Sequence, residues 1–115
     1  MELKGKAALV TGASRGVGAA TALQLAKAGC RVAINFNQSA DRAETVADQC
    51  HKAGVEAILV QGDVAEDAVC RSMVQQAVEA FGGLDILINN AGTTRFIDFQ
   101  DLDAVTDEDW ERIFA

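Results

Sequence analysis

Lys6-Ala7-Ala8-Leu9-Val10-Thr11-Gly12-Ala13-Ser14-Arg15-Gly16-Val17-Gly18 is the stretch that decides the fold. Its first part, Ala7-Ala8-Leu9-Val10, is a short continuous apolar run stopped by Thr11-Gly12. A run of that length bounded by turn residues reads as a strand buried on both faces. From Val17 to Ala28 the pattern turns helical, with Val17, Ala20 and Leu23 at three-to-four spacing, and Gly29 stands where a helix C-terminus favours glycine. A glycine-rich turn between a strand and a helix brings backbone N–H groups and the positive helix end against a pyrophosphate. In that role Gly12 permits the turn, Gly16 allows close approach of the ligand, and Gly18 lets the helix pack tightly on the strand.

Working outward, Arg31 to Phe36 reads as a second strand. Ser39 is a candidate N-cap, Asp41 favours a first helical turn, and Ala43, Val46, Ala47 and Cys50 mark the apolar face of a helix closed by Gly54. Val55 to Val60 makes a third strand, ending in Gln61-Gly62-Asp63, and Asp63 with Glu66 resembles a capping box opening the next helix. Val69, Met73, Ala77 and Phe81 give that helix one inward stripe before Gly82-Gly83 breaks it. Leu84 to Ile88 is a fourth strand, leading to Asn89-Asn90-Ala91-Gly92. Thr93 to Thr106 reads as a polar loop, and Thr106 with Asp109 reads as an N-cap pair starting a helix at Asp107 to Trp110. Four strands joined by helices predict an α/β fold with a parallel sheet and right-handed crossovers. The expectation is one partial domain over residues 1–115, a Rossmann-like doubly wound sheet of strand order 3-2-1-4, stopping after the fourth strand and the start of the following helix. Being apolar on both faces, the fourth strand is expected to form an exposed edge and to drive association.

Composition bounds the function. Half of the 115 residues are hydrophobic, drawn mostly from Ala, Val, Leu and Ile, with five Phe and one Trp. That supply suits a buried sheet clad by Ala-rich helices. No apolar run reaches the roughly 18 residues of a membrane span, and Met1 to Lys6 leads straight into a strand, so the expected location is cytoplasmic. Cys30, Cys50 and Cys70 lack a paired spacing and read as reduced, partly buried thiols, with neither a disulfide framework nor a metal site expected. The net charge is -7, and its acidity gathers between Asp98 and Arg112; with no basic stripe, nucleic-acid binding is not expected. The acidic run reads as a solvated loop and an acid-rich first helical turn, and the lone His51 as a solvated residue near a helix end.

Thr11 to Gly18 matches TGxxxGxG at every fixed position, Asn89 to Gly92 reads NNAG, and Gly62 to Val64 reads GDV. On these motifs the chain resembles the short-chain dehydrogenase/reductase family, over its whole length and over about the first half of a family member. The bacterial 3-oxoacyl-[acyl-carrier-protein] reductases and related carbonyl or sugar-alcohol dehydrogenases look most similar. The resemblance implies a nicotinamide dinucleotide held by Gly12, Ser14, Arg15, Gly16, Val17 and Gly18. It implies an adenine met by the Asp63 carboxylate and the Val64 N–H, and a groove lined by Asn89, Ala91 and Gly92. Asp63 can cap a helix at the same time, and Asn90 is favoured as a structural residue. The second strand ends in Asn35-Phe36-Asn37, with no acid before Asp41 to hold a ribose 2′-hydroxyl. Arg15 suits a 2′-phosphate, with Ser14, Asn37 and Ser39 as supporting donors, so NADP is expected over NAD.

The family chemistry is hydride transfer between NADP(H) and a small carbonyl or alcohol substrate, usually in a homo-oligomer, a dimer or a tetramer. It uses a Tyr-x-x-x-Lys pair, a Ser and an Asn. This chain contains no tyrosine. By resemblance the catalytic group lies beyond Ala115, and no catalytic residue is assigned. The alternative, from another class, is a noncatalytic nucleotide-binding or partner-binding remnant.

Overall fold

The computed structural model describes residues 2–90, the backbone of residues 93–99, and residues 106 and 108. Strand and helix alternate as β1 (Ala7–Val10), α1 (Gly16–Lys27), β2 (Arg31–Phe36), α2 (Ala40–Lys52), β3 (Ala57–Gln61), α3 (Asp67–Phe81), β4 (Leu84–Asn89) and β5 (Thr93–Phe99). They build a sheet of order β3-β2-β1-β4-β5. β1 pairs in parallel with β2 on one side, Leu9 opposite Ala33, and with β4 on the other, Leu9 opposite Leu87. β3 pairs in parallel with β2. The order 3-2-1-4 is the one expected for a doubly wound sheet.

β5 corrects the sequence reading. Thr93–Phe99 is no loop but a strand antiparallel to β4, with Leu87 opposite Arg95 and Asn89 opposite Thr93. Five of its seven residues are β-branched or aromatic, types that fit a pleated strand, and the edge of β4 offers unpaired backbone groups to receive them. β4 is therefore paired on both sides, and the expected exposed edge at β4 does not exist. The helix expected at Asp107 to Trp110 lies outside the described residues.

Because side chains of a strand point alternately to its two faces, the apolar run of β1 serves two cores. Ala7 and Leu9, with Ala33, Val60, Leu84 and Leu87, pack on Cys70, Met73, Val74, Ala77 and Phe81 of α3. Ala8 and Val10, with Val32, Ile34 and Ile86, pack on Ala22 and Ala26 of α1 and on Ala43, Val46, Ala47 and Cys50 of α2. The apolar stripes read for α2 and α3 are the ones that pack. The stripe read for α1 is not: its buried residues are Gly18, Ala22 and Ala26, while Val17 is 73% exposed. Small residues at four-residue spacing let the helix axis come close to the sheet, and a row of larger residues could not.

At the end of the sheet where the parallel strands begin, Arg31 donates to the Phe81 carbonyl at 2.6 Å and to the Gly5 carbonyl at 3.1 Å, its guanidinium lying 5.3 Å from the Phe81 ring centre. The three cysteines are free and buried. Burial pushes each thiol above its ordinary value, with the Asp85 charge adding to the effect at Cys30 and the Asp67 and Asp63 charges at Cys70. Among the described residues no helix is long and apolar enough to cross a membrane.

Candidate functional site

In an open α/β sheet the ligand crevice forms at the carboxyl ends of the strands, where the strand order reverses. Here that point lies between β1 and β4, the strands that carry Thr11-Gly12 and Asn89-Asn90 at their ends. The two segments are joined directly. Thr11 N donates to the Ile88 carbonyl at 2.9 Å, and its buried hydroxyl accepts from Asn90 N at 3.0 Å while donating to Asn89 Oδ1 at 3.2 Å. Asn90 Nδ2 returns to the Gly12 carbonyl at 3.3 Å. Asn90 thus has the structural part expected of it, holding the glycine turn against β4.

The turn itself is set by close packing. Gly12 and Gly16 have φ of 57° and 62°, in the left-handed region that favours glycine. A Cβ on Gly18 would lie 2.3 Å from the Gly12 carbonyl oxygen, so the first turn of α1 sits directly on the loop before it. Above Gly16 the space is open, with no atom of the described residues within 4 Å of where its Cβ would stand. Arg15, the N-cap residue of α1, is extended and makes no side-chain cap bond, and the first turn has no acidic residue. Among the described residues, the first N–H groups of the helix and its positive end therefore face an open surface that no side chain caps and no first-turn carboxylate claims. Ser14 is half-buried beside it, and Arg15, Gly16 and Val17 are exposed.

At the end of β2, Asn37 is exposed and its carbonyl accepts from Gln61 Nε2 at 3.2 Å. Ser39 is the N-cap residue of α2, as read, but makes no side-chain cap bond. After β3, the expected capping box is not formed. α3 starts at Asp67 with Glu66 as its N-cap, and Asp63 Oδ1 accepts from Ala65 N at 2.9 Å, closing its own short turn instead. Asp63 thus lies three positions before the N-cap residue Glu66, in the turn that precedes the helix. Val64 is 38% exposed, and its carbonyl accepts from Cys70 Sγ at 3.2 Å. Asn89 is half-buried, while Ala91 and Gly92 lie outside the described residues. His51 stands at the end of α2 with Nε2 3.2 Å from the Ala57 carbonyl, on the edge strand and apart from these loops.

Asn35 is the residue the sequence reading passed over. It is 3% exposed, accepts from Gly12 N at 3.0 Å through Oδ1, and donates through Nδ2 to the carbonyls of Val60 and Gly62, each at 3.1 Å. A signal was present: an amide standing between Ile34 and Phe36 in a buried strand must find partners inside the protein.

Comparison with known proteins agrees with this geometry. Residues 6–115 match the family model described as short chain dehydrogenase. A short chain dehydrogenase from Burkholderia cenocepacia, solved in complex with NADP, superposes with a TM-score of 0.76 at 48% identity over 95% of this chain and 43% of that one. A 3-oxoacyl-[acyl-carrier-protein] reductase of Staphylococcus epidermidis is 47% identical over 90 residues, 78% of this chain and 37% of the reductase. A short-chain dehydrogenase/reductase homolog of Bacillus subtilis is 41% identical over 108 residues, 94% of this chain and 99% of that homolog. The chain thus spans about two fifths of the length of the first two and nearly all of the third.

Proposed function

The chain belongs to the short-chain dehydrogenase/reductase family, and on that premise we propose that it is the NADP(H)-binding half of a reductase or dehydrogenase acting on a small carbonyl or alcohol. The observation that carries this reading is the seating of Gly18 on the Gly12 carbonyl beneath an open, uncapped helix N-terminus, because that surface fits a pyrophosphate and little else in the fold explains it. Gly12, Ser14, Gly16, Val17 and Gly18 hold the phosphates. Asp63 and Val64 meet the adenine, and Asn89, Ala91 and Gly92 line the ribose side of the groove. Arg15, exposed at the lip of the turn, and Asn37, exposed beyond β2, meet the 2′-phosphate. The absence of an acid at positions 35, 36 and 37 leaves nothing at the end of β2 to repel it.

The bound cofactor supplies or accepts the hydride. The residues of this chain bind and orient it; with no tyrosine in the chain, the family's proton donor is not among its side chains. Similarity to the staphylococcal reductase favours a 3-oxoacyl-type substrate. The same reading places the protein in the cytoplasm as a homo-oligomer.

A second reading has its own support in the Bacillus subtilis homolog, which this chain spans almost from end to end. On that reading a half-length family member binds nucleotide, or a partner, without catalysis. Titration of NADPH and NADH into the chain and into Arg15→Ala tests the cofactor assignment. The expected result is tighter NADPH than NADH binding, with that preference falling about tenfold in Arg15→Ala and NADH binding unchanged. Equal loss for both cofactors would overturn the role of Arg15, and no binding of either would overturn the cofactor assignment itself.

A further inference from the structure

At the carboxyl end of β2, the Asn35 amide is fully engaged. Its Oδ1 takes the Gly12 N–H at 3.0 Å, and its Nδ2 gives to the Val60 and Gly62 carbonyls at 3.1 Å each, with Met73 Sδ at 3.0 Å against the same nitrogen. The orientation of the amide is fixed by chemistry, since a backbone N–H faces only an oxygen and two carbonyls face only an NH2 group. The backbone adds a further link, the Asn35 carbonyl accepting from Ala13 N at 2.8 Å. One buried residue therefore grips the glycine turn after β1 and, on its other side, the carbonyl immediately before Asp63 and Val64.

We infer that Asn35 is a positioning residue that sets the spacing between the pyrophosphate turn and the adenine loop, an inference resting on the cofactor assignment above. No contact between Asn35 and the dinucleotide is required. A ligand that bridges both loops binds well only if they are held in register beforehand, because otherwise part of its binding energy is spent on ordering them. A ligand that reaches one loop is indifferent to the spacing. Other residues of similar size do not substitute. Aspartate accepts from Gly12 N but gives nothing to Val60 or Gly62 and buries a charge, and leucine makes none of the three bonds.

The test compares NADPH, which bridges the loops, with adenine, which reaches only the Asp63 and Val64 side, in the unsubstituted chain, Asn35→Ala and Asn35→Thr. Threonine keeps one hydroxyl able to accept from Gly12 N and donate to one carbonyl. The expected result is an NADPH Kd raised about tenfold in Asn35→Ala and by an intermediate factor in Asn35→Thr, with the adenine Kd changed less than about twofold in either. Should Asn35→Ala fail to fold, Asn35→Thr decides by the same ratio. Equal weakening of both ligands, the mark of a merely structural residue, or no weakening of NADPH overturns the inference. An unsubstituted chain that binds neither ligand overturns the cofactor assignment, and the inference falls with it.

Discussion

Replacing Gly18 by Ala tests whether the site rests on the packing of α1 against the glycine turn. The new Cβ would stand 2.3 Å from the Gly12 carbonyl oxygen and 2.9 Å from its carbon. Those atoms belong to a turn held by Asn35 through Gly12 N and Ala13 N and by Asn90 through the Gly12 carbonyl, so they cannot yield as the end of a flexible side chain would. Overpacking of this kind costs about 1–3 kcal/mol. Against it stands the gain of Ala over Gly inside a helix, about 1 kcal/mol at most. The net expectation is a loss of up to about 2 kcal/mol, read as a lower urea midpoint at unchanged slope. As the turn is pushed off Asn35 and Asn90, NADPH binding weakens by about tenfold or more. Gly16→Ala is the counterpart: its Cβ meets no protein atom, so apart from the cost of a left-handed Ala, about 1–2 kcal/mol, its effect falls on the ligand, whose approach the methyl blocks. A Gly18→Ala chain with an unchanged or higher midpoint and unaltered NADPH affinity would refute the reasoning.

Other outcomes follow from the cores. Met73→Ala, at a side chain with no exposure that packs on α3's sheet face and against the Asn35 amide, is expected to cost about 2–5 kcal/mol in denaturant unfolding, and a loss under about 1 kcal/mol would show that the face collapses around the gap. The three buried thiols, with values raised above the ordinary 9.0, stabilise the folded state fully below about pH 9 and lose that contribution as pH rises above it, because the unfolded chain then releases protons that the folded chain keeps. Unfolding followed from pH 7 to 10.5 should show a decline at the alkaline end that is smaller in a chain with all three cysteines replaced by alanine, once each chain is normalised to its own neutral-pH stability; parallel curves would remove the thiols as the cause. In the intact chain the same thiols should react slowly with a thiol reagent at pH 8, and quickly once it is unfolded.

The parallel order of β3, β2, β1 and β4 was legible because its signals are local: apolar runs of four to six residues, glycines closing each helix, and helices long enough to cross over. The motif at Thr11 to Gly18 was legible for the same reason, since a strand, a turn and a helix follow one another in the chain. What escaped depends on contacts between distant residues. β5 is written in Thr93 to Phe99, but its polar residues masked the pattern, and only the edge of β4 makes a strand of it. The apolar residues Val17, Ala20 and Leu23 suggested a face for α1, yet the sheet selects Gly18, Ala22 and Ala26, because distance of approach outweighs the area of side chain that could be buried. Asp63 had the spacing of a capping box, but the helix starts later, leaving its carboxylate to close its own turn.

Asn35 shows most clearly how the site depends on the whole sheet. In the sequence it is a polar interruption of a strand, 23 residues from Gly12 and 27 from Gly62. It acquires its partners only because β2 lies between β1 and β3, which brings the turn after one and the loop after the other within reach of a single amide. The order 3-2-1 is thus more than a frame for the glycine turn. It is the arrangement that lets one side chain at the end of the middle strand hold the turn on one side and the loop on the other. For that reason the affinity of a bridging dinucleotide should respond to Asn35 more steeply than the affinity of either half of it.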